Sequence, residues 1–147
     1  MKRALFFLPF YLVAGLAGAA EPEPKTAEYA PAVRVEPLLQ ATVTANGMPI
    51  QYPKTDHPEV KMLLVEIPPG AETGWHKHPM PCYAYMLAGS VTVELESGKR
   101  NVFSAGQAFV ETVDTLHNGK NNGTEAVRIL MVITGEKGKP VAEPVKK

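Results

Sequence analysis

Cysteine occurs once in this chain of 147 residues, at Cys82, so no disulfide can close within it and the fold must rest on a packed core. An excess of charge is also missing, with fifteen Lys and Arg against fifteen Asp and Glu. That balance excludes electrostatic capture by nucleic acid or by an anionic membrane surface. Sustained helical periodicity is absent too; only PLLQAT at 37–42 suggests a short turn of helix. What is present, 45% apolar and 20% charged residues over about one domain's length, is ordinary for a globular protein, so disorder is not the default.

The N-terminus is read separately from the fold. Met1-Lys2-Arg3 gives a positive start, Ala4 to Ala17 is uncharged and largely apolar, and AGAA at 17–20 offers small residues for cleavage after Ala19 or Ala20. Residues 1–20 are therefore expected to be a secretory signal peptide, and the mature chain to be periplasmic or secreted, with no membrane attachment after cleavage. The run is short for a membrane span and contains Pro9. Losing Lys2 and Arg3 leaves thirteen basic against fifteen acidic side chains, a net charge of about −2. No Arg-Arg pair is present, which argues for export of the chain unfolded.

Residues 21–32, EPEPKTAEYAPA, lack periodicity and read as a flexible lead-in, and 136–147 read as a flexible tail. Between them, 33–135 is expected to form one all-β domain. Val60, Met62 and Leu64 alternate in VKMLLVEI, Val91, Val93 and Leu95 in SVTVELE, and Val127, Ile129, Met131 and Ile133 in VRILMVIT. Turn residues separate these runs, and Ser97-Gly98 predicts a hairpin.

Four histidines are available. On a strand, residues i and i+2 share a face, so His76 and His78 are expected to project their imidazoles side by side. Two such donors make half of a metal site, and His117 from another strand could complete a triangle. His57, in TDHP, reads as a solvated loop residue.

The spacing raises this signal. Gly70 is followed after five residues by His76-Lys77-His78, after three more by Cys82, and after six more by Gly89. Gly106 is followed after five residues by Thr112, then Val113, Asp114, two residues, His117, three residues and Asn121. This pattern resembles the two motifs of the cupin superfamily, with Cys82 where the first motif has Glu, and with Thr112 and Asp114 where the second has Pro and Gly. Asp at a turn can adopt the left-handed conformation otherwise given to Gly. The resemblance implies a small cupin-type β-barrel (a double-stranded β-helix, jelly-roll-like) holding a divalent metal through His76, His78 and His117, with open positions facing a small-molecule ligand. A homodimer is compatible with it and would cover an edge strand, though no residue requires one.

Cys82 occupies the position of the family's fourth ligand, and four roles are open to it. It could be a small lining residue beside a three-histidine metal, or a thiolate ligand, which favours zinc or copper. It also resembles the cysteine that becomes joined to a tyrosine in thiol dioxygenases, although alternation turns Tyr83 and Tyr85 away and leaves Tyr52 or Tyr29 to reach it. The fourth role is a redox-sensing or intermolecular thiol. Export unfolded means metal is acquired outside the cytoplasm, which favours copper or zinc by affinity, with iron, manganese and nickel as the other candidates.

Trp75 is expected to pack outward, Met80, Met86 and Met131 in the core, and Asn121 in a turn. Glu72 and Glu111 read as solvated surface positions, so no catalytic acid or base is assigned. The functional classes left open are a metal-dependent enzyme of dioxygenase, isomerase or lyase type, a non-catalytic ligand- or metal-binding barrel, and a structural barrel with a decayed site.

Overall fold

The computed structural model describes residues 32–145. The proposed signal peptide and most of the lead-in lie outside them. The strands seen among the described residues are β1 (Pro58–Ile67), β2 (His76–Lys77), β3 (Cys82–Ala88), β4 (Ser90–Leu95), β5 (Arg100–Ser104), β6 (Ala108–Val110), β7 (His117–Lys120), β8 (Val127–Glu136) and β9 (Glu143–Pro144). All fall in the compact unit Glu36–Lys147. Helix is absent from the described residues, and 37–42 has no regular structure apart from a bend at its end. A stretch this short behind Pro37 cannot offset the cost of nucleating a helical turn.

Two antiparallel sheets form, one in the order β1-β8-β3-β6 and the other β5-β4-β7-β2-β9. Their inner faces share one core that includes Cys82, Ala84 and Met86 from β3, Ile129, Met131 and Ile133 from β8, and Val91, Val93 and Leu95 from β4. Phe103 on β5 stacks on Phe109 on β6 with ring centroids 3.6 Å apart, joining the two sheets at one edge. The hairpin between β4 and β5 turns at Ser97-Gly98, where Gly98 has φ +84° and donates its N–H to Leu95 O at 2.9 Å.

Strand β1 separates alternation from burial. Val60, Met62 and Leu64 do share a face, but it is the outer one, where they are 66%, 66% and 55% exposed. Leu63, Val65 and Ile67 occupy the opposite phase and turn inward to line the interior. β1 pairs with β8 along its whole length, from Pro58↔Glu136 to Ile67↔Val127.

Two motif positions show why their residues stand there. Gly89 has φ +72°, and a Cβ on it would come within 2.9 Å of the Ala126 carbonyl oxygen. Asp114 has φ +48°, alone among the described non-glycine residues in being positive, so it does take the left-handed turn position.

The segment read as a flexible tail differs from that expectation. β8 continues to Glu136, and β9 pairs with β2 through His76↔Pro144 and Lys77↔Glu143. Val145 N–H then donates to Trp75 O at 3.0 Å. The open backbone edge of β2 provides hydrogen-bond partners that composition does not reveal.

Candidate metal centre

Pairing of β2 with β7 sets His76 directly opposite His117. His78 lies just past the end of β2, held by a parallel bridge to Val113. The three rings converge, with centroids 4.4 Å apart for His76 and His117, 4.9 Å for His76 and His78, and 5.1 Å for His78 and His117. Their ligand atoms all lie within 4.8 Å of one another.

Each ring is fixed by the same device. His76 Nδ1 lies 2.8 Å from Gly74 O, His78 Nδ1 2.8 Å from Val141 O, and His117 Nδ1 2.8 Å from Thr115 O. A carbonyl oxygen only accepts, so each Nδ1 carries the proton and each neutral ring leaves its Nε2 lone pair to the interior. Thr112 Oγ1, 3.1 Å from His117 Nδ1, adds a second neighbour at that nitrogen. Burial pushes His117 down to about 4 and lowers His78 as well, which keeps both rings neutral at pH 7. His117 Nε2 is buried without a hydrogen-bond partner. An inward, unprotonated and unpartnered nitrogen fits a metal ion.

Cys82 is not in this cluster and does not line the cavity beside it. The side chain is fully buried in the core, with Sγ 3.5 Å from Met80 O as the hydrogen-bond acceptor. Only one heavy atom lies beyond its Cβ, where the glutamate of the resembling motif has a much longer reach. Burial first, and Glu111 second, push the thiol up to about 12, so it remains protonated. Tyr83 and Tyr85 are half-buried on the alternate phase of β3, Tyr52 is exposed, and Tyr29 lies outside the described residues.

Glu111 departs from the surface position expected of it. It is 7% exposed, and its Oε2 lies 3.7 Å from His117 Nε2 with no hydrogen-bond partner. Desolvation raises its pKa. The readable signal was period two: Phe109 faces the core, and Glu111 follows two residues later on the same face. Glu72, by contrast, is exposed, pairing with Lys120 at 3.6 Å and accepting from Asn118 Nδ2 at 3.0 Å. His57 is exposed and Trp75 half-buried. Asn121 is buried and holds its turn by donating to Ile67 O and Glu125 O.

Above the histidines is a cavity of about 380 Å³. β1 and β8 contribute Leu63, Val65, Ile129 and Met131, and β4 contributes Val91 and Val93. The C-terminal segment supplies Val141, Ala142 and Pro144. Among the described residues, the polar side chains of the lining are the three histidines, Thr73 and Glu111, and neither Lys nor Arg lines it.

Residues 63–133 match a family model described as "Cupin domain". Among solved structures, an uncharacterized conserved protein with a double-stranded β-helix domain from Klebsiella pneumoniae aligns with TM-score 0.50 at 18% identity, over 66% of this chain and 86% of that one. A structure of DMSP lyases aligns with TM-score 0.51 at 17% identity, over 59% and 44%. A predicted oxalate decarboxylase from Thermotoga maritima is 27% identical over 49% and 63%, with TM-score 0.44. This chain thus spans less than two thirds of the length of the latter two, and the likeness to the first two is one of fold. A search of curated proteins finds no match.

Proposed function

Since the chain belongs to the cupin superfamily, we propose that it is a metal-dependent enzyme acting on a small, uncharged and largely apolar molecule, through a divalent ion held by His76, His78 and His117. The observation that carries this is the shared Nδ1 to carbonyl bonding of the three rings, which presets three Nε2 lone pairs toward one point. Such an ion would supply Lewis acidity in the cavity that these histidines line.

The chain's own residues define what can bind. The cavity is near the small end of the range for ligand sites, roughly 300–1,000 Å³. Its largely apolar walls favour a compact apolar body. With no Lys or Arg among the described lining residues and Glu111 facing inward, an anionic substrate meets no side-chain counter-charge from them. A neutral molecule with one polar head fits best, with that head turned toward the histidines and Thr73.

Metal-free protein titrated with copper, zinc, iron, manganese and nickel is expected to bind one ion per chain, with copper or zinc tightest. The loaded protein is then presented with small phenols, alcohols and thiols beside dicarboxylates, following dioxygen uptake and product formation. Turnover of neutral compounds in preference to dicarboxylates supports the reading. Failure to bind any of these metals sinks it, and tight binding without turnover across the panel makes the chain a binding barrel instead. We further propose that the protein acts outside the cytoplasm; N-terminal sequencing of the mature form should begin at Ala20 or Glu21.

A further inference from the structure

We propose that Glu111 supplies the fourth, anionic donor of the metal site, from the chain segment beside the one on which the resembling motif carries its glutamate. The inference rests on the metal-binding reading above and adds a residue to it.

The first support is register. β3 and β6 pair Tyr83 with Val110, and the ladder continues by one residue, Glu111 N–H donating to Cys82 O at 2.8 Å. Residues directly opposite in an antiparallel pair place their side chains on the same face, with Cβ atoms roughly 4.5–5.5 Å apart. A carboxylate at 111 therefore starts from the same patch of inner wall as one at 82. The substitution at 82 removes the acid from one strand, and the neighbouring segment presents another.

The second support is a pair of orphaned atoms. Glu111 Oε2 and His117 Nε2 are both buried, both lack a hydrogen-bond partner and lie 3.7 Å apart. That separation is too long for a hydrogen bond. Two donors each about 2.1 Å from one ion, at a tetrahedral angle, lie about 3.4 Å apart. A cation between them satisfies both atoms at once, where a buried carboxylate oxygen otherwise has nothing to offset its lost hydration. Glu111 lines the same cavity as His76, His78 and His117. The carboxylate lies outside the tight histidine triangle, so it must turn inward on binding, a motion the side-chain torsions of a glutamate allow.

Chemistry agrees with geometry. Three neutral imidazoles leave a divalent ion's charge uncompensated in an apolar cavity, and one carboxylate halves it. Cys82, held protonated in the core, cannot provide that charge.

The test uses the mature chain with zinc in competition against a chromophoric chelator, and cobalt for its visible absorption. Glu111→Gln should bind zinc roughly tenfold or more weakly, shift the cobalt spectrum, and show a smaller metal-induced rise in Tm while its metal-free Tm is unchanged or higher. Adding Cys82→Glu to Glu111→Gln should recover affinity. His117→Ala, run beside them, separates the two ideas. If it loses zinc while Glu111→Gln keeps wild-type affinity, spectrum and metal-induced Tm gain, the donor role of Glu111 is overturned and the three-histidine centre stands. If His117→Ala binds zinc as wild type does, the metal-binding reading falls and this inference falls with it.

Discussion

His76 and His117 are register partners across β2 and β7, their ring centroids 4.4 Å apart, so the spacing of two candidate ligands is set by backbone pairing. Ligands fixed this way need little rearrangement to accept an ion, and binding energy passes into fold stability. Metal at a hundredfold its Kd should stabilise the wild type by about 2.7 kcal/mol. In His117→Ala that gain should vanish, as read by thermal melts with and without zinc. An undiminished gain would remove His117 from the ligand set.

Cys82 should be silent to thiol reagents in the folded protein. Its pKa, pushed up to about 12 by burial, lies above the ordinary value of 9.0. The folded state therefore holds this proton more tightly than the unfolded state. The associated stability is complete below about pH 9 and is lost as pH rises through about 12, by about 4 kcal/mol at the upper limit. Wild type should accordingly lose more stability than Cys82→Ser between pH 9 and 12 in denaturant titrations. Rapid labelling of native protein at pH 8 would contradict the protonated, buried thiol.

Asp114 occupies a left-handed position at φ +48°, and its bridge to Lys77, 3.3 Å long, is solvent-exposed. Asp114→Gly should be close to neutral, since relief of the backbone offsets loss of a weak pair. Asp114→Val should cost about 1–2 kcal/mol, because a branched Cβ resists this conformation. Chemical denaturation of both variants checks the order, and equal effects would count against it.

The C-terminal segment from Val141 to β9 should matter to metal affinity without supplying a ligand. Val141 O fixes the His78 ring at 2.8 Å, and Lys77 bridges Glu143 at 3.4 Å beside it. Deleting residues 139–147 should therefore weaken zinc binding by roughly 10–100-fold. Isothermal titration of the truncated chain measures this, and unchanged affinity would show that the C-terminal segment does not orient the ring.

How far the sequence could be read depended on where each signal resides. His76 and His78 were legible as a pair because their spacing follows strand alternation, a local property, and His117 was legible through the spacing of the motif the chain resembles. Asp114 was legible because the left-handed turn selects few residue types. β1 was legible as a strand but not in its facing, because VKMLLVEI has apolar residues in both phases and only pairing with β8 decides which phase is buried. The inward face of Glu111 was legible from its period-two spacing behind Phe109, but its place opposite Cys82 on β3 was not, because cross-strand register is not written in either segment alone. β9, two residues long and ending at Pro144, carries no periodicity at all and is defined only by the backbone edge it meets.

The segment leading into that last strand gives the barrel a property in time as well as in space. The carbonyl that sets the His78 tautomer belongs to Val141, beyond every histidine in chain order. A chain threaded from its N-terminus, during synthesis or across a membrane, presents all three imidazoles before it can lock the second of them. Nicked or incompletely delivered chains are thus expected to carry the three histidines yet hold metal poorly, and retention of metal would mark a finished molecule.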